Sequence, residues 1–189
     1  MVRVITKSYE VYTLKELKKV SLVGYKEALN EISESLSINI MEFDSNDILA
    51  SIKKFCEQFN IKILEWSFSL YHYNNYIKTD IDQYRYKHDN SEIKDHVKEL
   101  NILIDCGSDC ANLTGTYTDQ YLIDFFIDNN IKKVDYNNIH KLLKYCVDYA
   151  LITWIKDQED LIANDEALLE FAENMDMDQW TIGGELFRC

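Results

Sequence analysis

Two cysteines in a short turn are the residues whose types and spacing most directly suggest chemistry. Cys106 and Cys110 are four positions apart, and His96 and His140 flank them in the sequence. Thiolates and imidazoles at a tight turn suit tetrahedral zinc, so one hypothesis is a metal-binding or enzymatic accessory protein that uses Cys106 and Cys110. The four-residue step is not the usual paired-cysteine spacing, however, and Cys146 falls on the apolar face of a predicted helix. The sequence therefore favours no metal site and no cofactor.

Nucleophilic and phosphate chemistry have equally little support. The chain contains five glycines, and none of them begins a phosphate-binding loop. It also lacks the strand-turn-helix serine motif of hydrolases. Asp105, Asp109 and Asp119 lie near the cysteine turn, but aspartates in turns more often accept hydrogen bonds from their own backbone. We expect no catalytic residues and predict that the protein is not an enzyme.

The strongest electrostatic feature lies near the C-terminus. The net charge is −13, and the stretch from Asp157 to Asp178 contains nine carboxylates and no Lys or Arg. Such a run is commonly a solvated face. It is also suited to binding a basic partner, because its negative field would speed the association of that partner with the surface. Direct binding to nucleic acid is disfavoured because phosphates would be repelled. The candidate partner-binding residues are Asp165, Glu166, Glu170, Glu173, Asp176 and Asp178. Helical spacing predicts that Glu166, Glu170 and Glu173 form a line along one side of the last helix.

Apolar side chains recur at intervals of three and four residues in most of the chain, as in amphipathic helices. The predicted helices begin near Ser21, Ser45, Ser91, Thr118, Asn137 and Asn164. Thr13 is a candidate cap for a short turn before them, and Asn60 is predicted to end the helix from Ser45 in the left-handed conformation. Alternation predicts a strand over 61–71, with Leu64, Trp66, Phe68 and Leu70 on one side of it. A change of phase after Ile63 predicts a bulge, and 81–86 is a second candidate strand. The fold class is therefore predicted to be α+β, with several amphipathic helices packed on a small antiparallel sheet.

Several local features complete this picture. We place the apolar run 102–104 and the mostly apolar helix 118–128 at the centre of the fold. The stretch 37–44 is predicted to be a connection between helices. The last helix is predicted to bury Met175 beside other apolar residues. After it, the pair Gly183-Gly184 predicts a closing hairpin.

The length of 189 residues predicts one domain covering 1–189. No apolar run is long enough to span a bilayer, and the first residues do not resemble a signal peptide, so we expect a cytoplasmic protein without membrane contact. A homo-oligomeric structural or regulatory role is a further hypothesis, with an interface at Tyr73, Tyr76, Tyr84 and Tyr86. The sequence leaves open whether residues 72–90 are ordered.

Three segments together resemble a family of uncharacterised small acidic proteins from phages and prophages of low-GC bacteria. They are Val11-Tyr12-Thr13-Leu14-Lys15-Glu16-Leu17 with the helix after it, Cys110-Ala111-Asn112-Leu113-Thr114-Gly115 with Asp119 to Asp124 after it, and Ala163-Asn164 through Trp180 to Leu186-Phe187. The chain departs from the family at Ala111, where a proline is usual, and at 69–72, where the family has a glycine-aspartate-glycine loop. The absence of proline and the frequent Asn, Ile and Lys also suit an AT-rich phage gene.

The resemblance implies an inhibitor of a bacterial defence system. Phage proteins of this size and acidity are often inhibitors of host defence. The type expected here is the anti-CRISPR protein, since many of these are acidic and occupy the basic nucleic-acid channel of a nuclease. The implied partner is a Cas effector, most plausibly of the Cas9 type, in the cytoplasm of the host bacterium. The family supplies no catalytic residues, which agrees with the expectation of a non-enzymatic protein.

Overall fold

A computed structural model describes residues 10–70, 75–81, 91–107 and 113–187 of the chain. Its helices and its two-stranded antiparallel sheet make the fold class α+β, as predicted. The elements are α1 Leu14–Val20, α2 Leu22–Glu42, α3 Asp44–Gln58, β1 Lys62–Ser67, β2 Tyr76–Asp80, α4 Ser91–Cys106, α5 Gln120–Asp128, α6 Ile139–Ile162 and α7 Asp165–Asn174.

The chain divides into two compact units. The terminal unit comprises Met1–Asn39 with Glu159–Cys189, and the central unit comprises Ile40–Gln158. Both boundaries fall within helices, namely α2 and α6. The assignment of 1–189 to a single domain stays a prediction.

The core of the central unit is formed by the helices whose periodicity was clearest in the sequence. The fully buried apolar side chains of α3 and α6 include Ile48, Ile52, Phe55, Leu143, Val147 and Trp154. The predicted helix at 118–128 is α5, and it buries four apolar side chains, Leu122, Ile123, Phe125 and Phe126. The run 102–104 does not share this position, because it forms part of the last turns of α4 and Ile102 is 53% exposed.

The sheet confirms the predicted bulge and corrects the predicted strands. The antiparallel register of β1 and β2 shifts between Ile63 and Glu65. The strand that pairs with β1 is β2, Tyr76–Asp80, which was not predicted. The predicted strand at 81–86 lies outside the described residues, apart from Ile81. Leu64 and Trp66 are 58% and 45% exposed and are not core residues. A bulge redirects the side chain of its extra residue, and a two-stranded sheet covers little of its own surface.

The predicted connection at 37–44 is wrong, because α2 continues to Glu42. Ser37 and Ser45, the latter predicted to cap a helix, donate back to carbonyls within the helical turns. Ser37 Oγ donates to the Ser33 carbonyl at 2.8 Å, and Ser45 Oγ donates to the Met41 carbonyl at 2.6 Å. Serine can make either bond, so its position alone does not identify a helix start.

Asparagine and aspartate terminate three helices in the left-handed conformation that glycine usually provides. Asn60, Asn130 and Asp176 have φ values of 51°, 52° and 53°, and Asn60 was predicted in this role. In each case the next amide donates to a carbonyl five residues earlier, for example Ile61 N to Cys56 O at 2.8 Å. This is the Schellman arrangement, and it satisfies carbonyls that would otherwise lack a partner at the helix end.

The terminal unit joins the two ends of the chain. Thr13 and Glu16 form a capping box at the start of α1, and the Gly24 amide donates to Ser21 Oγ at the start of α2. Tyr12 and Trp180 exchange backbone hydrogen bonds of 2.9 Å in both directions. Trp180 also forms an antiparallel bridge with Leu186, which confirms the closing hairpin.

The hairpin turn lies directly against α2 through two glycines. A Cβ atom on Gly184 would overlap the Gly24 carbonyl oxygen, and a Cβ atom on Gly24 would overlap the Ile182 carbonyl oxygen. Gly184 also has a φ of +90°, which disfavours any other residue. The backbone of the hairpin can therefore reach α2 only because neither glycine has a side chain.

Replacing Gly184 by alanine is expected to lower the free energy of unfolding by about 3 kcal/mol, because the strained φ and the overlap with Gly24 add. Gly183 is the matched control, since its Cβ would meet only Thr181 Oγ1 at 3.6 Å. Gly183→Ala should change stability by less than about 0.5 kcal/mol. Urea unfolding followed by tryptophan fluorescence measures both variants, and equal losses would contradict the close approach.

Candidate functional site

The acidic helix α7 begins as the sequence predicted. Asn164 caps it, and its side-chain oxygen accepts hydrogen bonds from the amides of Glu166 at 2.9 Å and Ala167 at 3.1 Å. Leu168 and Ala172 are the buried residues of the helix. Their positions fix the rotation of α7, so that the face opposite them is turned to solvent.

The solvent-facing side of α7 carries a line of glutamates. Glu166 and Glu170 are four residues apart, and Glu170 and Glu173 are three apart, which places all three on one side of the helix. All three are exposed. The sequence predicted this line, and the structure agrees with it.

The end of α7 positions two further carboxylates. Asp176 occupies the left-handed position after the helix, and the Met177 amide donates to the Ala172 carbonyl at 2.8 Å. Met177 is buried, and its carbonyl accepts a hydrogen bond from Trp180 Nε1 at 3.0 Å. Asp176 and Asp178, on either side of Met177, are exposed.

Met175 was predicted inward but is 54% exposed, and Met177 is buried in its place. Helical spacing predicts an inward-facing side chain at position 175, but the helix ends at Asn174. The Schellman turn then reverses the chain and directs the residue after Asp176 inward.

All six candidate residues are therefore exposed, and none is neutralised within the described chain. No Lys, Arg or His nitrogen of the described residues lies within 4.0 Å of their carboxylate oxygens, whereas ion pairs elsewhere in the described chain include Lys54 with Glu57 and Lys78 with Glu65. We call the six residues the acidic face: Asp165, Glu166, Glu170, Glu173, Asp176 and Asp178. Its assignment as a partner-binding surface stays a prediction.

A groove beside the acidic face was not predicted from the sequence. It has a volume of about 420 Å³ and lies between α1 with Tyr25 on one side and the end of α7 on the other. Glu173 and Asp178 line it together with Lys15 and Lys18. The two pairs are 155 to 163 positions apart in the sequence, so no local pattern could have indicated that they meet.

The cysteines do not assemble a metal centre among the described residues. Cys106 is the last residue of α4, and Cys110 lies outside the described chain. Cys146 is buried, and its Sγ donates to the Leu122 carbonyl at 3.0 Å. Burial raises the pKa of the Cys146 thiol well above its ordinary value, so a ligating thiolate is disfavoured there. Within the ranges that the structure describes, no three His, Cys, Asp or Glu side chains converge as metal ligands would.

The tyrosines proposed for an oligomer interface are only partly described. Tyr76 is half-buried, and its hydroxyl donates to Glu65 Oε1 at 2.6 Å. Tyr73, Tyr84 and Tyr86 lie outside the described residues. The homo-oligomer hypothesis therefore stays a prediction.

Among the described helices, none combines the length and apolar content needed to cross a bilayer.

Asp119 is a buried carboxylate that organises the turn before α5. One oxygen accepts hydrogen bonds from the amides of Leu113, Thr114 and Gly115 at 2.8 to 3.0 Å. The other accepts from Ser51 Oγ at 2.6 Å and from Thr114 Oγ1 at 2.8 Å. The prediction that a turn aspartate would bind its own backbone is therefore confirmed.

The hydrogen bonds to Asp119 assign it a structural role. Burial alone would raise its pKa, but the bonds from Ser51, Thr114 and Gly115 outweigh burial and hold the pKa below its ordinary value. A carboxylate that remains ionised and accepts five hydrogen bonds has little capacity left for a proton or a metal. The turn is thus held together by the anion itself.

Asp119→Asn should lower the free energy of unfolding by about 3 kcal/mol, because the neutral amide loses the charge-assisted hydrogen bonds and replaces one of the two acceptor oxygens with an NH₂ group. The folded pKa is depressed, so the carboxylate's contribution is complete above the unfolded value of about 3.9 and is lost as the pH falls through the folded value. Denaturant unfolding at neutral and acidic pH measures this. Asp105→Asn, at an exposed position on α4, is the control. A variant as stable as the control at pH 7 would contradict the assigned role.

Comparison of the chain with known protein families, with curated proteins and with solved structures found no match. The resemblance to phage proteins therefore stays an expectation. The functional conclusion depends on the geometry and charge of the acidic face.

Proposed function

We propose that the protein is a non-enzymatic inhibitor that binds a basic, nucleic-acid-handling surface through the acidic face. The observation that carries this proposal is the set of six exposed carboxylates on and after α7, with no cation of the described chain within 4.0 Å. Lysines and arginines that hold phosphates would be attracted to such a surface.

The distribution of charge supports the proposal. The described part of the terminal unit has fourteen carboxylates and four lysines, whereas the described part of the central unit has sixteen carboxylates and eleven lysines. The excess of negative charge is thus concentrated in the smaller unit. A concentrated field extends further and steers a basic partner more effectively than evenly spread charge.

Some of the charges lie where folding alone would not favour them, although Asp165 and Glu166 occupy the first turn of α7, where carboxylates are stabilising. Glu173 lies in the last turn of α7 and Asp176 directly after it, where the helix dipole is negative and cations would be stabilising. Glu166 and Glu170 repel each other at a spacing of four residues. The arrangement has a cost for the helix, which an interaction with a cationic partner would offset.

The partner we propose is a Cas effector of the Cas9 type, on the basis of the resemblance to phage proteins. Its guide and target channel is lined with Lys and Arg that contact the nucleic-acid backbone. In this proposal the acidic face occupies that channel in the cytoplasm of the host bacterium and prevents the nucleic acid from entering.

The test is affinity capture from a CRISPR-bearing low-GC bacterium, followed by a DNA-cleavage assay with the captured effector and its guide RNA. We expect capture of a nucleic-acid-handling protein and a dose-dependent loss of cleavage. Recovery of abundant unrelated proteins alone, or unchanged cleavage at saturating concentration, would contradict the proposal.

The double variant Glu166→Gln/Glu170→Gln should bind the captured effector about tenfold more weakly, as the loss of two exposed charge pairs would give. Its free energy of unfolding should stay within about 0.5 kcal/mol of the wild type. The matched control is Asp95→Asn/Asp105→Asn, which removes the same charge from exposed positions of α4. Titration by calorimetry measures the affinity of the wild type and of both double variants for the effector. An equal loss of affinity in the two double variants would contradict a specific role of the acidic face, because only net charge would then matter.

A further inference from the structure

We infer that the groove between α1 and α7 is the anchor site for a peptide segment of the basic partner. This segment would place an apolar side chain in the groove and Lys or Arg beside α7. The inference rests on the proposed function and adds a recognition element to it, because it identifies where binding becomes specific.

The groove has an apolar lining in an otherwise highly charged part of the surface. Its volume of about 420 Å³ lies within the usual range for sites that hold small ligands or anchoring side chains. The apolar lining residues are Leu14, Tyr25, Leu169, Ala172 and Met177. Leu169 is 37% exposed, so it offers apolar surface that a partner side chain could cover.

Opposite charges line the two sides of the groove without closing on each other. Lys15 and Lys18 belong to α1, and Lys18 Nζ lies 5.0 Å from the centre of the Tyr25 ring. Glu173 and Asp178 stand on the α7 side, and no ion pair within 4.0 Å joins them to these lysines. The complementary occupant is therefore apolar in the middle, basic towards α7 and acidic or uncharged towards α1.

The groove is continuous with the acidic face because Glu173 belongs to both. Exposed carboxylates accelerate the encounter with a basic surface, but they discriminate poorly among basic partners. Salt also screens their attraction to the partner. Interfaces gain specificity and residence time from an anchor in a desolvated apolar pocket. The groove lies where a basic segment on the acidic face would bring such an anchor.

The test uses a phage-displayed library of random linear peptides, selected on the immobilised full-length chain. Leu169→Gln removes the exposed apolar wall without changing charge. Leu161→Gln is the matched control, since Leu161 is 41% exposed in the same unit and does not line the groove. The double variant Glu166→Gln/Glu170→Gln tests the acidic face separately.

We expect the enriched peptides to contain an apolar residue close to Lys or Arg. A synthetic copy should bind Leu169→Gln about tenfold more weakly than wild type, the change expected when about 50 Å² of apolar surface loses its contact. Binding to Leu161→Gln should be unchanged. No enrichment, equal binding to Leu169→Gln, or wild-type self-association that Leu169→Gln abolishes would each overturn the inference, the last by identifying a second copy as the occupant.

The same selection separates this inference from the proposed function. Peptides that are basic, lose affinity for the glutamate double variant and ignore Leu169→Gln would support the acidic face and overturn the groove. Apolar peptides that depend on Leu169 and bind the double variant normally would support the groove and contradict the role of the acidic face.

Discussion

The close approach of Gly184 to Gly24 is the constraint on which the geometry of the terminal unit depends. It allows the closing hairpin to reach α2 backbone to backbone. The hairpin then bridges to Tyr12 through Trp180, and the Leu186 amide donates to Glu31 on α2 at 3.1 Å. Trp180 in turn holds the Met177 carbonyl, so the end of α7 is fixed by contacts that contain no charge. A rigid apolar and backbone framework can thus hold a strongly repulsive set of carboxylates in place.

This separation of roles explains how the chain tolerates its acidity. The buried carboxylate of Asp119 has a full set of hydrogen-bond donors and serves the fold of the central unit. The carboxylates of the acidic face are exposed, and none of them organises a turn through hydrogen bonds as Asp119 does. Asp176 contributes to the fold through its backbone conformation at the end of α7. Asp165 and Glu166 also favour the start of α7, whereas Glu170, Glu173 and Asp178 have no such role, and the proposed basic partner accounts for their grouping.

Sequence patterns predicted the features that depend on local periodicity and capping. The apolar faces of α3 and α6, the caps at Thr13 and Asn164, the bulge after Ile63 and the left-handed Asn60 are examples. The outward line from Glu166 to Glu173 also follows from helical spacing alone.

The errors arose where a residue has two local options or where distant segments decide. Ser45 could cap a helix or bond back to Met41, and only packing selects between them. Leu64 and Trp66 alternate as core residues do, yet a two-stranded sheet leaves them exposed. The bond from Ser51 to Asp119 and the groove between α1 and α7 join segments far apart in the sequence, so no single stretch contains the information.

The central claim is that the acidic face attracts the partner through charge. The most direct measurement is the rate of association with the captured effector by stopped flow, as salt is raised from about 0.05 to about 0.5 M, where the screening length becomes shorter than the width of the face. The account predicts that the association rate falls more than tenfold. An association rate that does not change with salt would contradict it.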